Sequence, residues 1–388
     1  MSEENIVQEI MGEFRSSTGL LTAGAGAVRR YLWTDAFAVC NYLTLYRQSS
    51  REEYLHLALG LVDQVHEILG RHREDDPRHG WISGLDEREG RLHPTAGGLR
   101  IGKKLPERQP DEPPDENLEW ERDGQYFHYL TKWMHALCRV SRVIQNQVYS
   151  AWARELAERA HSAFSYTAGD GTKRMYWKMS IDLSRPQVSS MGHHDSLDGL
   201  ITCIEIHEQI GRPQELNSHP LDAGIIDLTE MCRGVNWTTP DPLGLGGLLA
   251  DSCRLAQLQS KGVRIPIPGL LQDMLDAAVV GLSIYARDNS MHLSADYRLA
   301  FRELGLAIGL QGIGRIEELI SRKPDFFRNE SRLDSLLEAL KHYLPLREQI
   351  EDFWLEQDNR ENSSWKEHAD INMVMLATSL APEGFLKI

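Results

Sequence analysis

The chain has 388 residues, of which 41% are hydrophobic and 26% charged, and it carries a formal net charge of −15. That length and apolar content suffice for a large buried core, while the acidic balance argues against a general nucleic-acid-binding surface. The apolar stretch at 274–286 is short and holds Asp276, so no membrane span is expected. The opening MSEENIVQEI lacks the basic start and apolar core of a signal peptide. Cys40, Cys138, Cys203, Cys232 and Cys253 are scattered, odd in number and form no CxxC pair. Buried free thiols in a reducing, cytoplasmic setting are the expectation.

Apolar residues recur near the helical period throughout, and sustained alternation is scarce. The predicted helices fall in pairs: 34–46 with 51–70, 124–140 with 147–165, 194–210 with 221–234, and 243–259 with 269–287. Then 297–310 is followed by 316–321 and 332–352, and 369–379 closes the series, with the N-terminal helix 4–14 as its possible mate. Six helical hairpins that cover one another's apolar faces predict one all-α domain over 1–388, an (α/α)6 toroid of inner and outer helices. Gly24–Gly26 and Gly244–Gly247 follow no clear strand and read as sites of close helix approach rather than phosphate loops.

Two long interruptions, 79–121 and 168–192, precede inner helices and are expected over the mouth. Within the first, glycines at turn spacing in 79–106 suggest a short hairpin, and the acidic, proline-rich 107–121 reads as a loop or mobile lid. An aspartate stands at each inner-helix opening: Asp35, Asp123, Asp195, Asp241, Asp296 and Asp370. Aspartate is a good N-cap and suits the positive end of the helix dipole, so capping accounts for such residues without any chemistry.

The second inner helix carries Gln125, His128, Lys132 and His135 on one face, and the third repeats the spacing with Asp195, Asp198, Thr202 and Glu205. The first offers Thr34, Asn41 and Thr44. The other faces of the second helix are apolar and aromatic, from Tyr126 to Leu137. A helix apolar on most sides is buried, so its polar stripe needs partners or a wet cavity.

The run of hairpins resembles the six-hairpin glycosidase-like superfamily. More narrowly, DDPRHGWISGLDEREGR, with its His79-Gly80-Trp81 turn and the following Lys103-Lys104, is similar to the first hairpin of the N-acylglucosamine 2-epimerase and cellobiose epimerase group. The resemblance implies carbohydrate chemistry on a small-molecule or oligosaccharide substrate, and function then has to be argued from the site.

A glycosidase needs one protonated and one ionised carboxylate. Asp123 and Asp195, opening consecutive inner helices, and Asp35 before them suit an ionised base or nucleophile. Asp198, one turn inside its helix, is the expected acid, with Asp86 in reserve. The competing reading makes Asp123 and Asp195 caps and pairs Asp198 with Lys132. Trp81, Tyr126 and Trp177 are the expected sugar-facing aromatics, with His128, Lys132 and His194 beside them; core packing is the plain alternative for the tryptophans. The alternative activities are an epimerase or isomerase using His128 and His194, and a non-enzymatic binding protein. Neither HExxH nor a phosphate-binding glycine loop is present, so no metal and no cofactor is expected.

Overall fold

The computed structural model describes residues 3–21, 28–211, 220–328 and 330–388, so Gly24–Gly26 lie outside the described residues. Its contacts group the chain into two compact units, 15–233 and 1–14 with 234–388. Most of α1 (Glu3–Thr18) belongs to the latter.

The 15–233 unit holds three hairpins. They are α2 (Leu32–Ser49) with α3 (Glu52–Leu69), then, beyond the short α4 (Glu87–Leu92) and α5 (Glu116–Glu119), α6 (Phe127–Ile144) with α7 (Gln147–Phe164), and α8 (Asp195–Ile210) with α9 (Pro220–Cys232). α6 packs against both α2 and α8, while α3, α7 and α9 lie against their own partners. The two layers differ as their sequences require. α2 is buried at every position of 32–45 and α8 at every position of 195–206, because each has neighbours on all sides. α3 instead buries one stripe, Tyr54, Leu57, Ala58, Leu61, Val62, Val65, His66 and Leu69, at helical spacing.

The insertions are ordered differently from expectation. The strands fall at 125–126 and within 165–188 rather than at 79–106. β1 (Gln125–Tyr126), β4 (Lys178–Met179) and β5 (Pro186–Val188) form an antiparallel sheet in the order β1-β4-β5, and β2 (Ser165–Thr167) pairs with β3 (Lys173–Met175). Gly124, at φ +150°, admits this sheet, since a Cβ there would lie 2.7 Å from the Met179 carbonyl oxygen. In 79–106 Asp86 starts α4 by accepting the amides of Arg88 and Glu89, both at 2.9 Å, and a helix forms where a hairpin was expected. The 107–121 segment contains α5 and is fastened by side chains. Arg108 pairs with Glu119, Arg122 with Glu112, and Glu107 accepts from the Ile181 amide at 2.7 Å.

In the unit containing 234–388, α10 (Pro242–Ser260) packs on α11 (Leu270–Tyr285) and lies along α12 (Ala300–Arg322). α13 (Leu333–Lys341) packs on α11 and α14 (Pro345–Leu355) on α12; after the short α15 (Gln357–Arg360) and α16 (Ser363–Lys366), α17 (Ala369–Leu380) packs on α12, and α18 (Glu383–Leu386) ends the chain's helices. α12 is one helix where two were expected; Gly312 within it is a packing choice, its would-be Cβ 3.0 Å from Cys253 Cβ. The expected 332–352 helix divides at Pro345, which lacks an amide and starts α14.

α10 and α12 touch backbone to backbone. A Cβ on Gly246 would stand 2.0 Å from the Gly305 carbonyl oxygen, and one on Gly309 would stand 2.5 Å from that of Gly246, whereas Gly247 faces open space. Gly246→Ala should therefore destabilise the protein by about 3 kcal/mol, the scale of core overpacking. Gly247→Ala should be neutral or gain up to ~1 kcal/mol from helix propensity. Urea unfolding of the two variants checks this, and equal effects would contradict the close crossing.

Candidate active site

The polar stripes of α6 and α8 face one another in rungs. His128 Nδ1 lies 3.7 Å from Asp195 Oδ1, Lys132 Nζ 2.8 Å from Asp198 Oδ2, and His135 Nδ1 3.0 Å from Glu205 Oε2. Exposure falls along the series. The side chains of the first rung are 28% and 8% exposed, those of the third 1% and 0%. The zip thus opens at the helix starts, where a ligand can reach it.

In the second rung Asp198 is well satisfied. Its Oδ2 accepts from Lys132 and from the Thr131 hydroxyl, and its Oδ1 from Thr202 Oγ1 at 3.4 Å. Asp195 is not. It opens α8 without capping it, it is 6% exposed, and its Oδ2 has no hydrogen-bond partner. Gly192 sits over this oxygen so closely that a Cβ would approach it to 2.4 Å. Burial, and then the neighbouring Asp198 charge, push the Asp195 carboxyl up to about 7, against the pull of Lys132 and the Gly192 amide. The raised carboxyl is thus Asp195, while Asp198, the one expected from sequence to be raised, is bridged to Lys132. A lysine on the adjacent helix outweighs the depth of Asp198 in its own.

His128 is neutral at ordinary pH. Its ring is enclosed by protein and faces Lys132, which together lower it to about 4 although its edge reaches solvent and Asp198 opposes the shift. Trp177 Nε1 donates to His128 Nδ1 at 3.2 Å, so the imidazole proton sits on Nε2. Around it lie stacked rings. Tyr126 is 5.3 Å from His128 and 5.6 Å from Trp177 between centroids, and Tyr129 meets His128 edge-on at 4.9 Å. Tyr31 and Tyr129 share a hydroxyl–hydroxyl bond of 2.8 Å, and burial raises both phenols, Tyr31 to about 12.

Most of the other sequence candidates are held in contacts away from these rungs. Asp123 is fully buried. Its Oδ2 meets Arg100 at 3.0 Å and Arg73 at 3.4 Å, and its Oδ1 accepts the Gly102 amide at 2.9 Å. Asp35 accepts the Tyr31 amide at 3.0 Å and pairs with the buried Arg30 at 3.3 Å, closing the start of α2. Asp86 is the exposed cap of α4. Trp81 is a packing residue, 3% exposed, with the Arg71 guanidinium 4.1 Å above its ring and Gly90 against its edge. Gln125 belongs to β1 rather than to the α6 face, and it holds the Leu99 amide at 2.9 Å and the Ile181 carbonyl at 2.6 Å. His194 is the residue before α8, its carbonyl accepting the Asp198 amide at 3.0 Å and its ring beside that of His193. Sequence reasoning passed over Tyr31, Tyr129 and Trp120; the cue for the two tyrosines was their aromatic character beside helix starts, and Trp120, just past α5, offered none.

Among the described residues no group of three His, Cys, Asp or Glu side chains is arranged to hold a metal ion. None of the described helices is long and apolar enough to cross a membrane.

No family model and no curated protein matches the chain in sequence. Solved structures do match in shape. A GH76 alpha-mannanase from Bacteroides thetaiotaomicron aligns over 100% of this chain and 98% of its own, at 9% identity and a TM-score of 0.56. The GH76A alpha-1,6-mannanase of Salegentibacter sp. HEL1_6 aligns over 98% and 99%, at 12% identity and a TM-score of 0.52. Its inactive variant, with two adjacent aspartates replaced by alanine and alpha-1,6-mannotetrose bound, aligns over the same shares, also at 12% identity and a TM-score of 0.52. The chain has their fold. It is the all-α, six-hairpin (α/α)6 class expected from the pairing of predicted helices.

Proposed function

We propose that the protein is a carbohydrate-active enzyme, a glycoside hydrolase of oligosaccharides, with Asp195 as its proton donor. One observation carries the reading: a buried carboxyl with an unpartnered oxygen, raised to about 7, stands beside a carboxylate locked to Lys132 and among aromatic rings at a helix start. A glycosidic oxygen leaves only when protonated, and a carboxyl that keeps its proton near pH 7 can supply it. Asp195 gives its proton to the leaving oxygen as the C–O bond breaks. Asp198 lends negative charge to the developing oxocarbenium ion, and Lys132 and Thr131 keep that charge in place. Water then adds to the anomeric carbon and returns a proton to Asp195. Trp177, half-buried, offers its ring to the sugar, with the buried Tyr126 packed behind it, and His128, a donor through Nε2, orients a hydroxyl.

The solved neighbours support starting from α-linked mannose, since one of them binds alpha-1,6-mannotetrose and is inactive without two aspartates. The aspartates here are three apart rather than adjacent. A cytoplasmic setting belongs to the same proposal, as all five cysteines are free and buried. Incubation with α-1,6-mannooligosaccharides, and then with β-linked gluco- and manno-oligosaccharides, followed by chromatography of the products, tests the reading. New reducing ends are expected. A change of sugar configuration without shortening would replace hydrolysis by epimerisation at the same groups.

A further inference from the structure

Trp120 is the one exposed residue among the chain's nine tryptophans, 49% exposed while the others are buried or half-buried. A single exposed apolar side chain on a free loop calls for no explanation. This one is not on a free loop. The Lys178 ammonium, fully buried, donates to the Glu119 carbonyl and, at 2.8 Å, to the Arg122 carbonyl, on either side of Trp120. Lys103 Nζ donates to the carbonyl of Trp120 itself, and Arg108 holds the Glu119 side chain. Burying an ammonium is costly unless it is paired and hydrogen-bonded, and here the two carbonyls and the Glu119 carboxylate, 3.6 Å away, meet that cost. Together these contacts hold the backbone that carries an exposed indole.

They fix it against the site. Lys178, the first residue of β4, follows Trp177 directly in sequence, so one buried side chain ties the segment bearing Trp120 to the chain at Trp177. The two indoles meet edge to face at 4.7 Å. Trp177 in turn has its Nε1 committed to His128, so the half-buried indole can meet a ligand only through ring carbons. The result is a stepped aromatic platform leading outward from His128 and Asp195. The surrounding cations Lys103, Lys178, Arg108 and Arg122 are each engaged by a carbonyl or carboxylate, which makes the platform suited to an uncharged ligand. Uncharged, C–H-faced rings in a row are the property of neutral oligosaccharides.

We propose that Trp120, with Trp177, forms a second sugar-stacking subsite for a neutral oligosaccharide longer than a disaccharide, and that Lys178 is its positioning residue. The proposal rests on the glycosidase reading for the bond that is broken, but not for binding. Its test compares α-1,6-mannobiose with α-1,6-mannotetraose, and cellobiose with cellotetraose, for wild type, Trp120→Ala, Trp120→Phe and Lys178→Met. Calorimetry gives Kd and product assays give kcat and KM. For the tetrasaccharide that binds, Trp120→Ala should raise Kd and KM about tenfold and leave kcat within about twofold, tenfold being ~1.4 kcal/mol of stacking. The disaccharide should change less than about twofold. Trp120→Phe should restore most of the loss. Lys178→Met should reproduce the length-dependent loss together with the change in near-ultraviolet circular dichroism seen on removing Trp120; should that variant not fold, the two Trp120 variants decide alone.

Equal effects on both lengths, or none, would overturn the subsite and leave hydrolysis standing. Binding without turnover that weakens in Trp120→Ala would uphold the subsite and overturn the hydrolase reading. Failure of the wild type to bind any of the four sugars would overturn both.

Discussion

Replacing Asp195 by asparagine should abolish turnover and at the same time stabilise the folded protein above neutral pH. The loss of rate follows from the role: removing a positioned general acid costs about 10²–10⁴-fold. The gain in stability follows from linkage. The Asp195 carboxyl is raised from 3.8 in the unfolded chain to about 7 in the fold. The folded state thus binds the proton more tightly, and the stability this lends is complete below about pH 3.8 and lost as pH rises through about 7. At about 1.4 kcal/mol per pKa unit the ceiling of that loss is about 4 kcal/mol, and burying an amide in place of the carboxyl offsets part of it. An asparagine side chain does not titrate, so the Asp195→Asn variant should exceed wild type by about 1–3 kcal/mol at pH 8 and match it near pH 4. Wild-type kcat/KM should fall about tenfold per pH unit above about 7, as the acid loses its proton. Urea unfolding at the two pH values and a pH–rate profile give both readings. A variant that keeps full activity, or is less stable at pH 8, would remove Asp195 from the chemistry.

Lys132→Met should be the most damaging change in the α6–α8 interface. Lys132 and Asp198 are 14% and 6% exposed and 2.8 Å apart. Removing one member of a buried ion pair leaves an uncompensated charge and costs about 3–5 kcal/mol, whereas replacing both by apolar groups is often neutral. Lys132→Met combined with Asp198→Leu should therefore recover most of the lost stability. It should not recover activity, because the anion beside Asp195 is gone. Chemical denaturation of the single and double variants separates these outcomes, and a single variant as stable as wild type would mean that the bridge contributes little. Retained activity in the double variant would place the second carboxylate elsewhere.

The repeated spacing of polar residues in 125–135 and 195–205 was legible because helical residues three and four apart share a face. What the spacing could not tell was that the two faces meet rung by rung, since that depends on α6 and α8 being neighbours with matching starts. Asp195 and Asp198 illustrate the consequence. Both lie in the first turn of one helix, and from sequence the inner one looked like the acid. Lys132, 66 residues away in sequence, reaches Asp198 and leaves Asp195 without a cation of its own. The surroundings of Asp123 were equally hidden, because Arg73 and Arg100 arrive from other loops.

The class and layering of this fold were already set by local sequence. Helix-period burial, proline and glycine punctuation and the alternation of all-round apolar with one-sided helices each act within a few residues. The same local signals marked Trp81 and Trp177 alike as tryptophans near helix starts, and they passed over Trp120 in an acidic, proline-rich stretch. Long-range packing is what separated the three. It placed Arg71 and Gly90 around Trp81, His128 beside Trp177, and the buried Lys178 beneath the segment that presents Trp120. Charge state and ring exposure depend on what surrounds a group within several ångströms, and those neighbours come from distant parts of the chain.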